Sequence, residues 1–121
     1  MSRIYISGQI GEDSPSEATV SRFRIWDNFC QRLGHETFNP CSEEWQNELH
    51  KGYLSDQGNR EGWMNGKFPE YYDYCLLRDM MVLSTCDAIF MVPGWEHSPG
   101  ACVEFLYAKA TNKKILYHDK L

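Results

Sequence analysis

No apolar run in this sequence approaches the roughly 20 residues that a membrane-spanning helix requires. The longest, such as Ala88-Ile89-Phe90-Met91-Val92, have the length of a buried strand. There is no C-x-x-C pair either. Cys30, Cys41, Cys75, Cys86 and Cys102 are odd in number and scattered, a pattern of free thiols in a reducing compartment rather than of a disulfide framework. His35, His50, His97 and His118 have no H-x-x-x-H or mixed Cys/His spacing, which argues against a metal site. Basic runs are missing too: 12 basic side chains face 17 acidic ones, a net charge of −5, so neither a nucleic-acid polymer nor a membrane is an expected partner. Neither a Walker loop nor a G-x-G-x-x-G fingerprint occurs. The opening Met1-Ser2-Arg3-Ile4-Tyr5-Ile6 has one basic residue and a short apolar stretch, without a twin-arginine or lipidation pattern, and a cytoplasmic location is expected.

What is present is one domain's worth of chain, residues 1–121. A chain of this length buries roughly 65% of its unfolded surface, enough for a single core. Arg3 to Ser7 reads as a strand that ends in the turn Gly8-Gln9-Ile10-Gly11. Ser14-Pro15-Ser16-Glu17 has the form of a capping box with Ser14 as N-cap, and Phe23, Trp26, Cys30 and Leu33 follow at helical spacing up to Gly34. His35 to Phe38 is a second strand, closed by Pro40. Residues 42–50 read as a short helix starting at Ser42. The stretch 51–69, with Gly52, Gly58, Gly62 and Gly66 and no clear period, reads as a long loop and a possible lid.

A helix is expected from Pro69 or Glu70 to Ser84, with Leu76, Leu77, Met80 and Leu83 as its apolar stripe. The continuous run 87–92 has the pattern of a central parallel strand covered on both faces. Ser98 and Pro99 suit the N-cap and first position of a last long helix, and Lys113 to Tyr117 is a fourth strand. Alternation of this kind predicts an α/β fold, a doubly wound, Rossmann- or flavodoxin-like parallel sheet of four to five strands with helices on both faces. The order 2-1-3-4 is expected, and it opens a crevice above the carboxyl ends of strands one and three. Ser7 to Gly11 overhang it from one side and Pro93 to Gly100 from the other.

Glu104 lies four residues after Gly100, three after Ala101 and four before Ala108, so its neighbours on one helix face are all small. Such a face leaves room for a ligand to reach the carboxylate. The plain alternative is a surface glutamate on a helix packed through Cys102, Phe105 and Leu106. For Asp79, beside Arg78, the plain reading is a charged pair on a solvated face; for Asp87, a polar residue at a turn-to-strand junction. Backbone N–H groups of the Gly8-Gln9-Ile10 turn, with the helix start at Ser98 to Gly100, suit an anion such as a phosphate. Trp45, Tyr53, Trp63, Tyr71, Tyr72 and Trp95 are aromatic candidates for stacking on a base, of which one or two are expected to touch a ligand.

Ile4-Tyr5-Ile6-Ser7-Gly8-Gln9-Ile10, Gly34-His35-Glu36-Thr37-Phe38-Asn39-Pro40, Asp79 with Cys86-Asp87-Ala88-Ile89, and Gly94-Trp95-Glu96-x-Ser98-x-Gly100-Ala101-x-x-Glu104 together resemble the nucleoside 2-deoxyribosyltransferase-like superfamily. The nearest likeness is to its small phage- and prophage-associated branch, whose members are mostly domains of unknown function. The resemblance covers nearly the whole chain except 51–69 and is most specific at Ser98-x-Gly100-x-x-x-Glu104. It implies that Glu104 is the nucleophile attacking C1′ of a deoxyribose and that Asp79 assists near the departing base. It also implies a nucleoside or nucleotide substrate touched by Ser7, Gly8, Gln9, Ile10, Gly94, Trp95, Ser98, Gly100 and Ala101, with no cofactor. Ser98 stands where the nucleotide-hydrolysing branch has serine and the nucleoside transferases have aspartate. Gln9, by contrast, replaces that branch's phosphate-binding serine. A homodimer or higher homo-oligomer, in which a neighbouring subunit completes each site, is implied as well. Two readings from other classes remain: a non-catalytic nucleotide-binding module using the same crevice, and an interaction protein working through the aromatic region 45–74.

Overall fold

Alternation along the first strand sets the layers. In the computed structural model, which describes residues 2–10, 15–59, 62–63 and 66–119, β1 (Arg3–Ser7) is buried on both faces. Successive side chains of a strand point to opposite sides. Ile4 and Ile6 therefore join one core cluster with Phe23 and Cys30, while Tyr5 joins the other with Leu83, Ile89 and Ala108. β2 (Glu36–Phe38), β3 (Ala88–Met91) and β4 (Lys114–Tyr117) complete a four-stranded parallel sheet in the order 2-1-3-4. The expected α/β architecture is present, with four strands.

The helices are α1 (Glu17–Arg32), α2 (Glu43–Gln57), α3 (Tyr71–Ser84) and α4 (Pro99–Ala110). α1 covers the Ile4 and Ile6 face, and α3 and α4 cover the Tyr5 face. Among the described residues no helix is long and apolar enough to cross a membrane.

Several details differ from the sequence expectations. Ser16, not Ser14, caps α1, its hydroxyl accepting from the Thr19 N–H at 3.2 Å; Gly11 and Ser14 lie outside the described residues. α2 does start after a Ser42 cap, but it continues to Gln57, so the expected loop 51–69 is helical for its first third. Gly52 does not break this helix. A Cβ there would stand 2.6 Å from Tyr74 Oη and 2.8 Å from Arg78 Nη1, so the missing side chain is what admits α3. Beyond it, Phe68 is clasped by Tyr53, Trp63 and Tyr74 at ring separations of 5.1, 5.0 and 5.9 Å, which ties this segment to α2 and α3. The stripe expected on α3 is also shifted: the helix buries Tyr74, Asp79 and Leu83, whereas Leu77 is 55% exposed.

Candidate active site

Two elements converge where β1 ends and α4 begins. Ser98 caps α4, its Oγ accepting from the Ala101 N–H at 3.2 Å, with Pro99 in the first turn. That start angle turns the stripe Ala101, Glu104 and Ala108 inward against the sheet. Glu104 is 5% exposed, which excludes an ordinary surface glutamate. Tyr5 and Ser7, two residues apart on one strand face, both point at it. Tyr5 Oη donates to Glu104 Oε2 at 2.6 Å, and Ser7 Oγ donates to Oε1 at 2.7 Å. Each oxygen of the carboxylate thus has a fixed donor and a remaining lone pair.

Asp79, for which the spacing offered a solvated charge and the resemblance a role near the departing base, is buried on the inner side of α3. Its Oδ1 accepts the indole N–H of Trp45 at 2.7 Å. Burial is the main cause that raises both carboxyls. Glu104 is pushed up from 4.5 to about 7, against the downward pull of the Tyr5 and Ser7 hydroxyls. Asp79 is pushed from 3.8 to about 8, first by burial and then by the Glu104 charge, with Trp45 and Arg78 pulling the other way. The two carboxyls titrate as a coupled pair, each proton held more tightly than in water and the Glu104 charge adding to the hold on Asp79. One carboxylate beside one carboxylic acid is a division suited to a nucleophile and a proton donor. Burial, with Asp79 next, pushes the nearby Cys41 thiol up to about 12, so it stays a thiol rather than a thiolate.

The cleft between these groups and solvent has a floor of Gly8, Ile10, Ser98, Gly100 and Ala101, with Asp79 and Glu104 at its end. Gln46 and Leu49 of α2 and Tyr71, Tyr72, Cys75 and Leu76 of α3 form the opposite wall. Its empty space is about 560 Å³, including the part that runs into solvent. Tyr72, 45% exposed, narrows it: a Cβ on Gly100 would lie 2.9 Å from Tyr72 Oη. Among the described residues no group of three His, Cys, Asp or Glu is placed to hold a metal ion.

Besides the aromatic candidates Tyr71 and Tyr72, the cleft brings together seven of the eleven residues expected to react with or touch a substrate: Gly8, Ile10, Asp79, Ser98, Gly100, Ala101 and Glu104. Four lie elsewhere. Ser7 is fully buried behind the cleft, holding Glu104. Gln9 is exposed, and its backbone carbonyl accepts from Arg22 Nη2 at 2.7 Å. Gly94 adopts φ +92° to turn the chain out of β3, and Trp95 stacks on Phe105 at 4.7 Å. Tyr5, Gln46 and the hydrogen-bonding role of Trp45 escaped the sequence reading. For Tyr5 a signal existed, because i and i+2 on a strand share a face with Ser7. Asp87 does sit at its junction, accepting from the Arg3 N–H at 2.9 Å.

No curated protein and no solved structure matches the chain. The sequence profile of one family, Domain of unknown function (DUF4406), matches residues 2–117. That span contains all four strands, all four helices and both buried carboxyls. The chain belongs to the DUF4406 family.

Proposed function

We propose that this protein cleaves or transfers the N-glycosidic bond of a 2′-deoxynucleoside or its 5′-monophosphate, with Glu104 as nucleophile and Asp79 as proton donor. The observation that supports this most is the buried Glu104 carboxyl, with each oxygen oriented by a hydroxyl, lining one cleft with the Asp79 carboxyl. The superfamily resemblance points the same way.

In the proposed reaction an Oε of Glu104 bonds to C1′ as the C1′–N bond breaks through an oxocarbenium-like state. The bonding pair leaves on the base nitrogen, and Asp79 supplies the proton that makes the base a neutral leaving group. Water then opens the glycosyl ester, its proton returning to Asp79, or a second base attacks C1′ in its place. Tyr72, whose hydroxyl lies over Gly100, borders the bound nucleoside at the mouth of the cleft. Ser98, whose oxygen serves the helix cap, retains its hydroxyl proton to donate to a 5′-phosphate. The active form is a homodimer meeting through the outer face of α3 and α4.

The test is release of free base from a panel of deoxynucleosides and their monophosphates, followed by chromatography. Glu104→Gln is expected to lower the rate about 10³-fold or more. Base release that survived this substitution would overturn the nucleophile assignment. Stoichiometric retention of an intact nucleotide without turnover would replace the enzyme by a binding module.

A further inference from the structure

Among the described residues Glu104 and Asp79 are the buried carboxylates, and they are held by different kinds of donor. Glu104 meets hydroxyls, which accept as readily as they donate. Asp79 Oδ1 meets the Trp45 indole N–H at 2.7 Å, and an indole N–H only donates. Oδ1 is therefore kept as an acceptor whether Asp79 is ionised or neutral. The hydroxyl oxygen of a carboxylic acid is a much weaker acceptor than its carbonyl oxygen, so the acid proton is directed to Oδ2. That atom has no hydrogen-bond partner among the described residues, and its side chain lines the cleft.

Trp45 is itself immobilised on three sides. Its backbone N–H donates to the Ser42 cap at 3.2 Å, which places it in the first turn of α2. Its ring stands edge-on to Phe38 at 5.1 Å, with the Arg78 guanidinium over it at 5.4 Å. Arg78 is in turn anchored by donating to Tyr74 Oη at 2.7 Å, and that hydroxyl donates to Asp56 at 2.9 Å. We infer that Trp45 is a positioning residue: its indole N–H fixes Asp79 so that the acid presents its transferable proton from Oδ2 into the cleft, toward a departing base.

The groups that face Asp79 electrostatically are Glu104 from α4, Tyr5 from β1, Cys41 from the turn before α2, and Arg78 and Tyr72 from its own helix. None of the others is a fixed, donor-only partner to its carboxyl oxygen at hydrogen-bond distance. The kinetic meaning of the inference rests on the proposed glycosidic reaction; the proton placement does not.

Two measurements on the full chain separate these. In the substrate-free protein the Trp45 indole N–H resonance, assigned by its loss in Trp45→Phe, is expected to shift with pH at the same midpoint as the Asp79 carboxyl carbon. It should stop shifting there in Asp79→Asn. A resonance indifferent to that midpoint, or one that shifts identically in Asp79→Asn, overturns the inference whatever the enzyme does. In the kinetic arm, Trp45→Phe is expected to lower kcat about 10- to 100-fold at unchanged KM on ordinary bases. It should cost much less on a deoxyriboside whose leaving group needs no proton, and the alkaline limb of the pH profile should move upward because a donor to the ionised form is lost. An equal loss on both leaving groups, or an unmoved limb, leaves Trp45 a packing residue only. If no substrate releases base, the glycosidic reading fails and the resonance alone decides the proton placement.

Discussion

A carboxyl whose folded pKa lies above its unfolded value binds its proton more tightly in the native protein than in the unfolded chain. Glu104, raised from 4.5 to about 7, and Asp79, raised from 3.8 to about 8, both belong to this class. Each contributes stability that is full below its unfolded value and is lost as pH climbs through its folded one. Asp79→Asn removes one of these ionisations and keeps an oxygen to accept from Trp45. Its thermal midpoint should exceed that of the wild type by an amount that grows between pH 5 and pH 9, reaching on the order of 5 °C or more. An advantage that stays constant with pH would mean Asp79 is not the group that titrates. The sequence made Glu104 conspicuous because Gly100, Ala101 and Ala108 clear a helix face around it. It left Asp79 looking solvated, because the partner that makes its burial tolerable, Trp45, is 34 positions away and on another helix.

Element boundaries were readable where local chemistry sets them and misread where a neighbour does. The caps at Ser42 and Ser98 are hydroxyl-to-backbone bonds within three residues, visible in any sequence. Gly52 reads as a helix breaker on propensity, yet it sits inside α2 because the Tyr74 and Arg78 side chains occupy the space its side chain would need. Gly8 is a second such position, with a less forgiving neighbour. A Cβ there would come within 2.8 Å of Val92 Cβ and 3.1 Å of Phe23 Cζ, and both residues are fully buried. Gly8→Ala must therefore push α1 or the end of β3 aside. A loss of about 1–3 kcal/mol in denaturant unfolding is expected. An unchanged midpoint would show that α1 yields at no cost.

Across the whole molecule the exposed apolar side chains are unevenly spread. The outer surface of α3 and α4 exposes Tyr72, Leu77 and Met81 from the former and Val103 and Leu106 from the latter. Helices of 14 and 12 residues, about 20 Å long and about 10 Å apart, give this face a projected area of about 400 Å². Two copies would bury about 800 Å² through it, the size of a weak, concentration-dependent contact. The exposed apolar side chains suit a second copy, although the exposed Asp73 beside Tyr72 brings a like charge to the edge of that contact. Tyr72 also narrows the cleft, so the partner subunit would bear on the mouth of the site. Light scattering should give a mass that rises toward a dimer with concentration, and Met81→Asp with Leu106→Asp should hold it at the monomer. A wild type that stays monomeric at high micromolar concentration would overturn this arrangement.

The bonds that orient Glu104 join it to residues 99 and 97 positions earlier in the chain. At about 5–20 residues per second, synthesis separates these partners by roughly 5–20 s. Throughout that interval the first strand, which belongs inside the sheet between β2 and β3, has no α4 to cover the Tyr5 side. Closure of so distant a contact also belongs among the slow steps of folding. A chain halted before residue 104 has no acceptor for the Tyr5 and Ser7 hydroxyls, so the carboxyl centre and the completed fold arrive together.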